Sequence, residues 1–313
     1  MLEVEIKDNK NHIVKKHNDL IKAQGALSST AYKMLCSVIS MIKADDVDFQ
    51  EYALKRADYL KMIGSTSNND SFFYEKAREL MQNPFKVDGK LFNWCSMVDV
   101  ERMAGYIIFD IHPKLKPYLL ELRDRGNITQ YQIINILSLK GDYVPRFYEL
   151  IISQWNTYKT YNKNSKSYTF DLELNFLKDT IAIKKSYAYA DIKRRIIEKA
   201  KKEFKEKTNI QFDYEECKVG LKVTKLKITV RDNNKGSKDP LKDLKSFINY
   251  IRKDYVNVDL FVATGRQCIS CNAEGKLYDK YQKEIIDNKR SLEIWEKLYN
   301  LAKENKLKCL TKN

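Results

Sequence analysis

Between Ser186 and Thr208 the chain reads SYAYADIKRRIIEKAKKEFKEKT, where Lys193, Arg194, Arg195, Lys199, Lys201, Lys202 and Lys205 are diluted by Asp191, Glu198, Glu203 and Glu206. Ammonium and guanidinium groups at this density bind phosphate, and arginine can also hold a guanine edge with two parallel hydrogen bonds. Ile192, Ile196, Ala200 and Phe204 recur at every fourth position. That stripe predicts an amphipathic helix with its charged side outward. A solvated basic surface is the plain alternative, because charge runs usually serve solubility.

Other reactive residues offer less. Cys268-Ile-Ser-Cys271 is a CxxC, but a structural zinc needs four ligands. There is no second pair, and His12, His17 and His112 all lie far upstream, so no metal is expected. No G-x-x-x-x-G-K-[ST] occurs, which argues against an ATP-driven helicase, and no His-hydrophobe-His pair occurs of the kind that holds a strand-nicking metal. An enzyme is therefore disfavoured and no cofactor is expected, although 20 tyrosines leave a nucleophile open in principle.

Composition narrows the class further. The 313 residues, 43% hydrophobic and 12% aromatic, suffice for two domains with proper cores. No apolar run is long enough to cross a bilayer, and the charged start MLEVEIKDNK has no signal-peptide character. Six cysteines without framework spacing fit a reducing cytoplasm, so a cytoplasmic protein without membrane association is expected. Net charge is +15 and unevenly spread. Residues 1–126 hold 19 Lys and Arg against 18 Asp and Glu; residues 127–239 hold 23 against 14, and residues 240–313 hold 15 against 10. The excess is concentrated in the middle, as a localised footprint on a polyanion requires.

Two segments share an order of elements that would position such a footprint. In the first, Leu54 and Ala57–Gly64 predict a short helix, Ser65–Asp70 a polar loop, and Ser71–Gln82 a second helix with Phe73, Ala77, Leu80 and Met81 on one face, stopped by Asn83-Pro84. Phe85–Trp94 carries the hairpin signal Asp88-Gly89, and Tyr106–Ile111 reads as a second strand. In the second, Leu172, Leu174, Leu177 and Ile181 predict a strand and short helix, Ile183-Lys184-Lys185 a tight link, and then the basic helix. Ile210, Phe212 and Tyr214, a turn at Gly220, and Leu226, Ile228 and Val230 complete a two-stranded wing. Each segment reads as a winged helix. Between them, Tyr131–Trp155 reads as two helical stretches broken near Gly141 and Pro145, apolar enough to be buried and to restrict the two units. Ser153–Lys166 reads as a loop and Asp232–Pro240 as a linker. Beyond it, Leu241–Ile251 and Leu292–Leu301 suggest helices and Val258–Thr264 a strand.

The fold expectation is thus α+β and helix-rich: an N-terminal winged-helix domain over 1–126, a connector helix and second winged-helix domain over 127–232, and a small C-terminal α/β region of unassigned role over 240–313. These residues resemble the plasmid replication initiators that bind iteron repeats, a family with two tandem winged-helix domains. Asn11–Ile42 is similar to its first helices, Ile107–Leu122 to its strand-then-helix signature, Ile128–Ile151 to its inter-domain connector, and Tyr189–Val230 to its second recognition helix and wing. The extended basic segment Lys199–Lys207 departs from the family pattern, and residues 240–313 lie outside the match.

The resemblance implies monomers on direct repeats of double-stranded origin DNA, melting of a neighbouring AT-rich region, and recruitment of host initiator and helicase. It also implies dimers that repress the protein's own gene from an inverted repeat. A winged-helix repressor without an initiation role is the alternative. In either case, Tyr189, Lys193 and Arg194 at the amino end of the basic helix are the candidate base contacts. Arg195, Lys199, Lys184, Lys185 and the wing residues Lys222, Lys225 and Lys227 are candidate phosphate contacts. In the first domain the corresponding candidates are Ser67, Asn68, Lys76 and Arg78.

Overall fold

The same succession of helix, strand, two helices and two strands is folded twice. The computed structural model describes residues 12–43, 46–65, 69–122 and 126–233, and beyond them the backbone of four strands. The chain begins with β1 (Ile13–His17) and one turn of helix, α1 (Asn18–Ile21). Helix α2 (Ser29–Ile39) starts at Ser28, whose Oγ accepts the Ala31 N–H. Then come β2 (Glu51–Lys55), α3 (Arg56–Ile63), α4 (Asp70–Gln82), β3 (Phe85–Val87), β4 (Lys90–Phe92), β5 (Cys95–Asp99) and β6 (Tyr106–Ile111). After a 3₁₀ turn at Pro113–Leu115 and α5 (Lys116–Leu119), β7 (Ile128–Gln132) pairs antiparallel with β1.

The second copy follows α6 (Ile133–Leu137). It comprises α7 (Val144–Tyr161), β8 (Ser167–Glu173), α8 (Leu174–Thr180), the basic helix, β9 (Ile210–Val219) and β10 (Lys222–Asp232). The basic helix runs through α9 (Tyr189–Ile192), a π-helical turn (Lys193–Ile197) and α10 (Glu198–Lys207). Sheet order confirms the duplication: β2-β6-β5 in the first copy and β8-β10-β9 in the second, antiparallel throughout. Both are winged helices. Their opening helices are α2 and α7, so the connector is itself the first helix of the second domain.

Five expectations change. Leu54 lies in β2, paired with Ile107, and the short helix begins only at Arg56. The first domain's wing is the β5–β6 pair, not the 85–94 hairpin; β3 and β4 pair only with each other, turning through Asp88 and Gly89 at φ 49° and 76°. Tyr131 lies in β7 because Ile128–Gln132 has a strand partner in β1. Pro145 sits in the first turn of α7 and starts that helix, since a residue there needs no N–H partner. Ser153–Tyr161 is helix, not loop. Trp155, Tyr158, Tyr168 and Phe170 stack in sequence at 6.2, 4.1 and 5.5 Å, holding the end of α7 on β8.

Contacts divide the chain into two compact units, Met1–Gly236 and Ser237–Asn313. The second contains β11 (Val258–Val262), β12 (Cys268–Cys271, the CxxC), β13 (Leu277–Tyr278) and β14 (Leu307–Thr311) as an antiparallel sheet ordered β13-β12-β11-β14. The helices expected at 241–251 and 292–301 lie outside the described residues.

Within the first unit α7 is buried continuously from Val144 to Ser153. On one side Glu149 meets Lys16 at 2.8 Å, both side chains 1% exposed, and the Tyr32 and Tyr131 hydroxyls donate to the same carboxylate. Lys16 also donates to Tyr32 Oη at 3.2 Å and Cys36 Sγ at 3.3 Å. On the other side Phe147 contacts Phe204 and Phe212, with ring centres 6.1 and 5.7 Å away. Lys33 on α2 donates to the carbonyls of Leu137 at 3.1 Å and Leu139 at 2.5 Å, and Glu203 on α10 accepts the Lys140 N–H at 2.6 Å. Helix α2, the loop after α6 and the basic helix are therefore tied in one chain of bonds.

Glu149→Ala strands a buried ammonium and should cost about 3–5 kcal/mol in urea unfolding. Replacing both partners, Lys16→Met with Glu149→Leu, should recover most of that loss. Burial lowers the Lys33 pKa from 10.5 to about 8, against the attraction of Glu203. Between those two values the unfolded chain binds the extra proton, so the folded state gains stability as pH rises from about 8 to about 10.5. Relative to Lys33→Met, the native protein should gain up to about 3 kcal/mol across that window, measured by denaturant titration at each pH.

Candidate nucleic-acid interface

A strict four-residue spacing does not fit an α-helix. Twelve residues make three turns and about 120° more, so Ile192 and Phe204 would diverge on an ideal helix. The π turn absorbs this drift: the Glu198 N–H donates to the Lys193 carbonyl, five residues back. Ile192, Ile196, Ile197, Ala200 and Phe204 are all fully buried in consequence. Lys193, Arg194 and Arg195 turn outward together, with side chains 45%, 72% and 53% exposed. The wide turn thus produces both the continuous apolar seam and the row of three cations.

Acids temper that row. Asp191 lies 3.2 Å from Arg194 Nη2 and 3.5 Å from Arg195 Nε, and Glu216 on β9 meets Lys193 Nζ at 2.8 Å. Lys193 holds the Glu216 carboxyl below the usual range, and Glu216 raises Lys193 in return. Pairs this exposed are worth little, about 0–1 kcal/mol, so a phosphate or base edge can displace the carboxylate. Lys184, Lys185, Lys199, Lys202 and Lys205 are exposed and make no ion pair among the described residues. The first two lie in the link from α8, beside the amino end of the basic helix, where the helix dipole adds positive potential. Lys199 lies along the loop after α6, so close that a Cβ on Gly141 would fall 2.9 Å from its Nζ.

Tyr189 is placed differently from the expectation. Its ring packs partly buried on the core and its hydroxyl is shielded from solvent. Burial raises its pKa, and the nearby Glu216 adds to that shift. The residue anchors the helix start, as does Tyr187, whose ring lies 5.2 Å beneath the Arg195 guanidinium.

On the wing, Lys225 and Lys227 share a face with acids. Lys225 pairs with Asp171 at 2.7 Å, and Lys227 lies between Asp171 and Glu215 in register. The hairpin tip is less compensated: Lys218 and Lys222 are exposed there without ion pairs among the described residues. Lys218 was not among the candidates, although the turn expected at Gly220 places it beside the tip.

In the first domain, Ser67 and Asn68 lie outside the described residues. Lys76 is turned inward, its side chain 11% exposed and held by Glu75 at 2.8 Å and Glu79 at 3.4 Å. It is committed to these carboxylates, because Glu79 also accepts from Ser28 at the start of α2 and draws α4 onto that helix. Arg78 is exposed and unpaired among the described residues.

A family model described as the first winged-helix domain (WH1) of initiator replication proteins matches residues 13–152. A second, described as the WH2 domain of initiator Rep proteins, matches residues 173–230. The chain belongs to the initiator Rep proteins. Among solved structures, the Pi initiator protein in complex with iteron DNA superposes with a TM-score of 0.57 at 17% identity, covering 72% of this chain and 99% of that one. At that identity the likeness establishes the tandem winged-helix fold. No protein of curated function matches the chain by sequence. No helix among the described residues of this initiator Rep protein is long and apolar enough to cross a membrane.

Because the Tyr189 hydroxyl is sequestered, Tyr189→Phe should change affinity for duplex DNA by less than about twofold, measured by fluorescence anisotropy. Arg194→Ala should weaken it by about fivefold or more.

Proposed function

We propose that the protein starts replication of a plasmid by binding direct repeats, or iterons, at the origin as a monomer. It then promotes opening of adjacent AT-rich DNA, recruits a host initiator and the replicative helicase, and as a dimer represses its own gene. The observation that carries this reading is the row Lys193, Arg194 and Arg195, turned outward by the π turn on the second helix of a winged unit. Family membership and the fold shared with an initiator bound to iteron DNA support it. Arg194, the most exposed of the three, is the base reader. Lys193 and Arg195 flank it, and Lys184, Lys185, Lys199, Lys218 and Lys222 neutralise phosphates. Arg78 is the first domain's contribution. No catalytic group or cofactor is required.

DNase footprinting on the cognate replicon should show several phased direct repeats protected, spaced by about two helical turns. Protection of one inverted repeat alone, with origin firing unchanged on deletion of the gene, would leave only a repressor. Within the footprint, Arg194→Ala should relax preference at one base position at a cost of about 1–3 kcal/mol. Lys222→Ala should weaken all sequences alike and reduce the salt slope of binding by about one.

A further inference from the structure

The segment between α6 and α7 touches the basic helix at more places than a connector needs. Tyr143 sets its ring edge-on to Tyr187, with centres 6.1 Å apart, and its hydroxyl accepts the Lys184 N–H at 3.4 Å. Gly141 lies against the Lys199 side chain, and Lys140 donates its N–H to Glu203 at 2.6 Å. Residues 140–143 therefore run alongside the basic helix from its lead-in to α10. The other end of the segment is held by the first domain: Lys33 on α2 donates to the carbonyls of Leu137 and Leu139, and Leu139 is fully buried. Gly141, at φ 108°, makes the turn between the two grips in a conformation that a side chain would strain. Lys33 and Glu203 are each 7% exposed, and Glu203 opposes the effect of burial on the Lys33 charge, so the two groups sense each other across the loop.

We infer that residues 137–143 form a splint that fixes the spacing between the DNA segments met by the two domains, with Lys33 and Glu203 as its positioning residues. The inference rests on the DNA-binding reading above and adds to it a determinant of site architecture. Apolar packing of α7 on Phe204 is non-directional and tolerates small rotations. The hydrogen bonds of the splint do not, since they weaken steeply when bent or stretched. Arg194 lies nine residues before Glu203, about 13 Å along the helix. A rotation of about 15° at the splint therefore carries Arg194 through about 3.4 Å, the length of one base-pair step. Buried as they are, Lys33 and Glu203 meet no phosphate themselves; they act through the groups they hold.

The test uses the full chain and three duplexes: one repeat mapped by footprinting or selected from random DNA, and the same repeat with one base pair inserted or removed between the segments that the two domains protect. Wild type should bind both altered repeats at least about fivefold more weakly than the native one, because one domain then loses its contacts. Lys33→Met and Glu203→Ala should bind the native repeat within about threefold of wild type, yet discriminate against the altered repeats by less than about twofold. Glu203→Gln keeps an oxygen for the Lys140 N–H and should keep the wild-type discrimination. Folded fraction is followed by circular dichroism under the same conditions. A variant that is merely less stable loses affinity for all three duplexes alike, so an unchanged ratio in both Lys33→Met and Glu203→Ala overturns the splint while DNA binding stands. A wild type indifferent to the insertion and the deletion overturns it too. Binding of the wild type to no duplex overturns the DNA-binding reading and the splint together.

Discussion

Helix α7 has no solvent face along most of its length, and the fold is organised around satisfying it. A helix buried on all sides normally carries only apolar residues. This one carries Arg146 and Glu149 within its first two turns, 6% and 1% exposed. The Arg146 guanidinium donates to the carbonyls of Gly25 and Ala23, both at 2.7 Å, and Glu149 collects Lys16, Tyr32 and Tyr131. Hydrophobic contact alone would let a helix slide or rotate in its groove. Two charges with fixed partners, Glu149 on β1, α2 and β7 and Arg146 on the segment between α1 and α2, leave it one register, because an unpaired charge in the interior costs several kcal/mol. Gly25 fits this arrangement for a steric reason: a Cβ there would lie 2.7 Å from Phe85 Cβ, so β3 closes directly over the backbone that Arg146 grips.

With α7 fixed, the basic helix is fixed too. Phe147 and Tyr148 present their rings to Phe204, and the Tyr148 hydroxyl reaches Asn209 at 2.8 Å, just beyond the end of α10. The end of β10 is tied back as well, through Trp155 Nε1 to Asp232 at 2.7 Å. The first domain thus sets the orientation of the second domain's reading surface through one rigid element. Two winged helices presented at a constant angle recognise two segments of DNA at a constant spacing, whereas a flexible tether would accept many spacings.

Apolar periodicity revealed most of this architecture in advance. The stripe at Ile192, Ile196, Ala200 and Phe204 located the basic helix, and the alternation through Ile228 and Val230 located its wing, because both patterns record burial directly. Expectations failed where partners were distant in sequence. Nothing local in Cys95–Asp99 marks it as the strand that completes the first wing; its identity comes from pairing with β6. The aromatic residues after Ser153 have no meaning until β8 arrives beneath them. At the site, residue type identified the cations but not which of them are engaged, so Lys76 and Lys225 stand among the candidates until their carboxylate partners are located in space. The π turn is implicit in the four-residue spacing, which an ideal α-helix cannot keep on one face over twelve residues.

The two domains use nearly the same parts to opposite ends. Arg56 in the first spends its guanidinium on Asp70 and on the carbonyls of Val100 and Tyr106, joining the start of α3 to the wing and to α4. Arg102, in the loop between β5 and β6, is held bidentately by Glu51 at 2.9 and 2.7 Å. Those interactions stiffen a short wing by the charge-assisted bonds that arginine makes best, and they leave it little cationic surface. In the second domain the arginines at 194 and 195 share one carboxylate partner, Asp191, among the described residues, and the wing is longer, more basic and tipped with leucine. The difference between near-neutral and strongly basic halves is therefore one of commitment as well as of composition: Arg56, Lys76 and Arg102 are engaged by the first domain's own acids and carbonyls, whereas Lys184, Lys185, Lys199, Lys202, Lys205, Lys218 and Lys222 of the second are exposed without ion pairs among the described residues.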